Sequence, residues 1–153
     1  MSKLNIEEFV SQAGTLQRTS EWITVDQDTI NMFADATHDH QFIHVDLEKA
    51  KHTPFKGTIA HGFLSLSLLS KFVEDCMPGI VGAVMGVNYG FDKIRFLMPV
   101  PAGSRLRGNF KLVSCEERNP GEYLSKYEVS VEIENMDKPA LVAEWLALTF
   151  IQK

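Results

Sequence analysis

The sequence predicts an α+β fold in which one long central helix is wrapped by a curled antiparallel β-sheet. Between Thr58 and Glu74, Phe63, Leu64, Leu66, Leu68, Leu69, Phe72 and Val73 cannot be confined to one stripe at 3.6 residues per turn, so this helix wants apolar neighbours on almost every side. Downstream, strand-like alternation recurs in successive segments separated only by turns, which supplies a sheet able to cover it. At 153 residues the chain is one domain by length, spanning 1–153, with room for a real core. The central run is too short, and too interrupted by Ser65, Ser67 and Ser70, to cross a bilayer, which takes about 20 mainly apolar residues. No membrane partner is expected.

Taken in order, Leu4, Ile6, Phe9, Val10 and Ala13 recur at helical intervals, and Gly14 follows as a stop, giving a short amphipathic helix that packs as an arm. Trp22 to Val25 is a short strand. Asp26 then offers an N-cap to a helix whose Ile30, Phe33, Ala34 and Thr37 share one face. From Thr37 to His44 neither a period of 2 nor one of 3.6 fits, which predicts a loop. Asp46 caps a brief turn that Pro54 ends, and Pro54-Phe55-Lys56-Gly57 leads into the central helix. Past Pro78-Gly79, Met85, Val87, Tyr89 and Phe91 mark one face of a long strand while Ile94 and Phe96 take the other, so a bulge or bend is expected near Gly90. Leu106, Phe110 and Leu112 alternate with Arg105, Arg107 and Lys111. Tyr123 and Tyr127 to Ile133 give the clearest period of 2 in the chain. The last strand, Leu141 to Ile151, is apolar on both faces, so both want burial, one of them under the amino-terminal elements or a second copy of the chain.

Composition excludes some functions. The net charge of -5 is spread along the chain with no basic block, which argues against nucleic acid as a partner. The first eight residues lack the apolar core of a signal peptide, so a cytoplasmic protein is expected. Cys76 and Cys115 have no metal or redox spacing and read as free thiols.

Two groups of residues have chemical potential. Asp39 and His44 lie in the irregular polar segment ahead of the buried helix, and a carboxylate with an imidazole is the usual pair for holding a water and moving its protons near neutral pH. The same residues read equally well as a turn cap and a satisfied polar group. His38, His40, His44 and Asp39 are all metal-ligand types, but they lack the spacing of a known zinc motif. Ala60-His61-Gly62 opens the central helix, where unpaired backbone N–H groups favour an oxyanion and glycine admits a close ligand; Gly62 also suits tight helix–sheet packing. Serines in an apolar helix mostly bond back to the preceding turn, though one facing the loop would orient Asp39.

Asp39-His40-Gln41-Phe42-Ile43-His44, Gly57-Thr58-Ile59-Ala60-His61-Gly62-Phe63-Leu64 and Phe96-Leu97-Met98-Pro99-Val100-Pro101-Ala102-Gly103 together resemble the MaoC-like dehydratases, the family of (R)-specific enoyl-CoA hydratases, and most closely its nodulation protein N-like branch. The resemblance runs from about Trp22 to Ile151. It implies a hot-dog fold and a homodimer whose sheets join edge to edge around an acyl-thioester tunnel. In the family signature Gly-Asp-x-Asn-Pro-x-His the aspartate and histidine form the catalytic dyad, and Asp39 and His44 take those positions. Gly62 matches the glycine whose N–H polarises the thioester carbonyl, and Ser70 the helix serine that bonds the catalytic carboxylate. His38 stands in place of the signature glycine, and Gln41-Phe42 in place of Asn-Pro.

The resemblance implies reversible hydration of a trans-2-enoyl-CoA to the (R)-3-hydroxyacyl-CoA, a lyase reaction of fatty-acid metabolism. An acyl-CoA is the substrate, and no cofactor and no metal are required. Asp39, His44 and Gly62 are the expected catalytic residues; Ser70, Gln41, His61, Asn88 and Tyr89 are expected at the substrate. Arg105 and Arg107 either meet CoA phosphates or belong to a solvated sheet face. An acyl-CoA thioesterase of the same fold, with its carboxylate on the central helix, and a non-catalytic acyl-thioester-binding partner subunit are the alternatives. The central helix carries only Glu74, near its far end.

Overall fold

The computed structural model describes residues 2–152. The chain starts with β1 (Lys3–Leu4) and α1 (Ile6–Ser11), where Asn5 and Glu8 bond each other's backbone N–H in a capping box. There follow β2 (Gln17–Thr19), β3 (Ile23–Val25), α2 (Gln27–Thr37), α3 (Phe42–Val45) and α4 (Leu47–Ala50). The expected central helix consists of α5 (Gly62–Ser67) and α6 (Leu69–Cys76), and Leu68 between them keeps right-handed helical angles. After β4 (Gly79–Ile80) come the four long strands β5 (Ala83–Phe96), β6 (Ser104–Asn119), β7 (Glu122–Ile133) and β8 (Leu141–Ile151).

The main sheet is six-stranded, antiparallel and open, in the order β2-β6-β7-β8-β5, with β3 also pairing along β6. β1 and β4 pair in parallel and tie the amino-terminal arm to the end of α6. Period-2 alternation sets the inner face: Leu106, Phe110 and Leu112, then Val129, Val131 and Ile133, then Leu141, Ala143 and Trp145 are buried. Leu64, Leu69 and Phe72 of the helix pack into that surface. A Cβ on Gly108 would lie 2.8 Å from the Cβ of Phe72 and 2.6 Å from the Phe110 ring, so the absence of a side chain there lets α6 approach β6.

The sequence reading holds for most elements and departs from the structure in several places. The central helix begins at Gly62 rather than Thr58, because Thr58–Ala60 is extended and bonded on both sides: Ile59 N–H donates to the Ile43 carbonyl, and Ala60 N–H to Val100. It is not wrapped on every side either. Phe63 is 67% exposed, since a single open sheet covers only one flank of the helix. The expected loop over 37–44 ends in the helical turn α3. Three short strands, β1, β2 and β4, carry too few residues for a period to show.

The expected bend in β5 is present as register shifts between Asn88 and Gly90 and between Phe91 and Lys93, after which Phe91 and Ile94, of opposite parity, both pack on the core. Met85, Val87 and Tyr89, read as a packing face, are exposed because β5 is the free edge of the sheet. On the outer face Arg107 makes a two-pronged ion pair with Glu132, Arg105 pairs with Glu134, and both guanidinium groups lie over Trp22. These arginines are engaged within the sheet, as the solvated-face reading has it.

The close approach at Gly108 makes it intolerant of added volume. Gly108→Ala should lower unfolding stability by about 1–3 kcal/mol, read as a shifted midpoint with unchanged slope in denaturant titration.

Candidate active site

Local backbone preferences set the loop after α2. Asp26 caps the amino end, accepting from Thr29 N–H at 2.8 Å. At the other end His38 takes the left-handed conformation, φ 61°, and turns the chain out of the helix. Gln41 and Phe42 then occupy the N-cap and first helical position of α3, where a helix accepts proline best. The three departures from the family signature therefore keep the backbone path that glycine and proline favour. Gln41 makes no side-chain cap bond; its N–H reaches the Asp39 carboxylate at 3.3 Å, and its exposed amide faces outward from the turn.

α3 points His44 inward, where the residue is only 7% exposed. Its Nδ1 lies 2.7 Å from the Ile59 carbonyl oxygen. A carbonyl only accepts, so Nδ1 carries the proton and Nε2 of the neutral ring presents a lone pair. Gln27 braces this turn: its Nε2 donates to the His44 carbonyl at 2.8 Å and its Oε1 accepts from the Thr58 hydroxyl. His61 is 2% exposed and stacks on His44, with ring centroids 3.9 Å apart and planes 25° apart, and Phe33 covers its other side at 4.9 Å. His61 Nε2 donates to the backbone carbonyl of Asp39 at 3.0 Å and so fixes the loop bearing the carboxylate.

Polar atoms of Asp39, His44 and His61 lie within 4.8 Å of one another. That is also metal-ligand spacing, and His44 Nε2 and His61 Nδ1 are both left without a partner among the described residues, but near-parallel stacked rings aim their in-plane lone pairs side by side rather than at one point. The arrangement fits proton transfer better. Burial lowers the pKa of His44 below its ordinary value of 6.5, and the neighbouring His61 adds to the effect, against the bond to Ile59 and the Asp39 carboxylate.

Beside these groups opens a cavity of about 280 Å³, with His44, Gly62 and Ser65 as its polar wall and Phe55, Ile59, Phe96, Met98 and Val100 among its apolar lining. Gly62 is the first residue of α5, so its N–H has no acceptor within the helix. A Cβ there would press on the Phe96 ring at 3.0 Å, so glycine fits this position without displacing that ring.

The structure thus brings Asp39, His44, His61 and Gly62 together. Ser70 is not with them: it is exposed and lines a different groove with Asn88, Trp145 and Ala147, and makes no hydrogen bond to Asp39 among the described residues. Tyr89 stands further along the β5 edge, under the guanidinium of Arg118. Gln27 is absent from the sequence reading, and Ser65 enters it only as one of three helix serines, of which Ser70 is the one matched to the site. Gln27 is signalled only by following a good N-cap, and Ser65 only by its place one turn inside an apolar helix.

A single helix laid on an open antiparallel sheet, with the acid and imidazole ahead of the helix start, is a hot-dog domain. The chain belongs to the MaoC-like dehydratase family: the family model described as a MaoC like domain matches residues 8–135. It is 53% identical over 149 residues to nodulation protein N of Rhizobium leguminosarum bv. viciae, covering 97% of this chain and 92% of that protein. To 3-hydroxyacyl-thioester dehydratase Z of Mycobacterium tuberculosis (strain ATCC 25618 / H37Rv) it is 43% identical over 140 residues, 92% of each chain. Among solved structures, an (R)-hydratase from A. caviae involved in PHA biosynthesis superposes with a TM-score of 0.72 at 21% identity, covering 88% of this chain and 98% of that one. A monoamine oxidase regulatory protein from an Archaeoglobus species superposes with a TM-score of 0.78 at 23% identity, covering 100% and 98%. These last two share the fold.

The lowered pKa of His44 sets a pH dependence. The folded chain binds fewer protons at this site than the unfolded chain does, so the stability from the neutral ring is complete above about 6.5 and is lost as pH falls below it. Denaturant titrations from pH 7 down to pH ~5 should show the parent losing stability relative to His44→Gln; parallel losses would contradict the assignment.

Proposed function

We propose that the chain is an (R)-specific enoyl-CoA hydratase, adding water reversibly and syn to a trans-2-enoyl-CoA to give the (R)-3-hydroxyacyl-CoA. The observation that carries this reading is a neutral, buried imidazole whose lone pair faces a cavity shared with the Gly62 N–H, with the Asp39 carboxylate alongside. Asp39 and His44 hold one water. Its oxygen forms the bond to Cβ while its proton passes to His44 Nε2, and the π electrons move onto the thioester oxygen, where the Gly62 N–H meets the developing charge. Return of that proton from His44 to Cα, on the same face, completes the addition, with Asp39 stabilising the imidazolium in between. The reaction calls for no cofactor.

The dehydratase relative supports this reading, since its name places a 3-hydroxyacyl thioester as substrate, as does the hydratase among the structural neighbours. We also infer a homodimer formed through the β5 edge, where Val84, Met85, Val87 and Tyr89 are exposed on a strand with unpaired backbone groups. No helix among the described residues is long and apolar enough to cross a membrane, and a cytoplasmic setting, where acyl-CoA is available, suits the proposal. A thioesterase reading has less behind it, because the carboxylates of the central helix, Glu74 and Asp75, stand near its far end and outside the cavity, with Asp75 paired to Lys71.

Crotonyl-CoA should lose its enoyl absorbance in the presence of the protein, and Asp39→Asn and His44→Ala should each cut kcat about 10²- to 10⁴-fold. Release of free CoA instead would indicate a thioesterase, and neither reaction a binding subunit. Sedimentation equilibrium should give a dimer that Val87→Glu weakens toward monomer.

A further inference from the structure

Ser65 is 2% exposed and its Oγ has no hydrogen-bond partner among the described residues. A serine inside a helix ordinarily disposes of its hydroxyl by bonding back to the preceding turn, and Ser67 does so, donating to the Phe63 carbonyl at 2.7 Å. Ser65 does not. It lies instead on the wall of the cavity that His44 and Gly62 border, in otherwise apolar surroundings. Leaving a hydroxyl unpaired and out of water is unfavourable, and an alanine at this position would fill the same place in the helix without that cost. The hydroxyl is best accounted for by a ligand that brings its own polar atom into the cavity.

Resting on the hydratase reading, we propose that Ser65 is a further catalytic residue: its hydroxyl holds the oxygen that becomes, or was, the 3-hydroxyl of the acyl thioester. The cavity has three polar wall groups, and two have defined partners in the reaction: the Gly62 N–H takes the thioester oxygen and His44 Nε2 takes the water proton. With Asp39 and His44 holding the water from the loop side, a further contact from the cavity wall aims its lone pair at Cβ, and Ser65 supplies it. In the reverse direction the same contact orients the β-hydroxyl toward His44, which protonates it as it leaves as water. Ser65 thereby discriminates in favour of ligands oxygenated at C3 over saturated acyl chains.

The experiment uses the full-length protein with Ser65→Ala and the isosteric Ser65→Cys. With crotonyl-CoA, which has no oxygen at C3, Ser65→Ala should lower kcat roughly 10- to 100-fold with little change in KM. In an Asp39→Asn background, where turnover is slow enough for binding to be measured, adding Ser65→Ala should weaken (R)-3-hydroxybutyryl-CoA about tenfold and leave butyryl-CoA binding unchanged. The melting temperature of Ser65→Ala should be equal to or above that of the parent, because the change removes an unpaired buried hydroxyl. Unchanged kcat, equal weakening of both ligands, or loss of activity in step with a lowered melting temperature in both variants would overturn the proposal. A parent protein that does not hydrate crotonyl-CoA at all would remove the hydratase reading itself, and the role of Ser65 with it.

Discussion

The bond from His44 Nδ1 to the Ile59 carbonyl is the interaction on which the rest of the site depends. It selects the tautomer, and with the tautomer it decides that Nε2 faces the cavity as a base rather than as a donor. Its geometry comes from two short pieces of chain: the turn α3, which aims the ring, and the extended residues 58–60, which carry the acceptor. Neither would hold its place alone. Ile43 and Ile59 are joined backbone to backbone, Gln27 grips both the His44 carbonyl and the Thr58 hydroxyl, and Ala60 is bonded to Val100 beyond. The stacked His61 and Phe33 behind His44 keep water from its rear face.

Larger-scale packing puts that assembly at the mouth of a cavity. The sheet has a single well-packed face, so the helix lies on it with one flank covered and the other open, and Gly108 lets the two come close enough for Phe72 to be fully buried. The open flank leaves Gly62 accessible beside Phe96. The outer face of the sheet is left to ion pairs such as Arg107–Glu132 and to half-buried side chains of β8. The free edge at β5 is where a second copy of the chain would cover exposed apolar side chains.

Much of this was legible in the residues. The alternation in β6 and β7 marks the inner face nearly residue by residue, Asp26 and Asp46 mark helix starts, and the parity change around Gly90 marks the bulges in β5, whereas β8, apolar on both faces, does not reveal which of them turns inward. Asp39, His44 and Gly62 are chemically apt from residue type and local context alone. Other features were not legible because they depend on long-range partners. Nothing in the local pattern separates Ser65 from Ser67 or Ser70; only the cavity on one side of the helix does. The matched Ser70 lies over β5 and β8, away from the carboxylate in this chain. That Thr58 to His61 would be drawn out of the helix reflects hydrogen bonds to Ile43, Val100 and Ala102, which lie far off in sequence. His38 in a left-handed conformation was likewise hidden, since histidine does not announce it as glycine would.

The most direct test of the central claim is the protonation pattern of His44 itself, observed by NMR of protein labelled with nitrogen-15 in its histidine rings and assigned with His44→Gln. At neutral pH the His44 ring should be uncharged, with the proton on Nδ1 and Nε2 giving the shift of a bare lone pair, and it should move only when an acyl-thioester ligand enters the cavity. A ring protonated on Nε2, or doubly protonated at neutral pH, would contradict the account, because no base would then face the substrate.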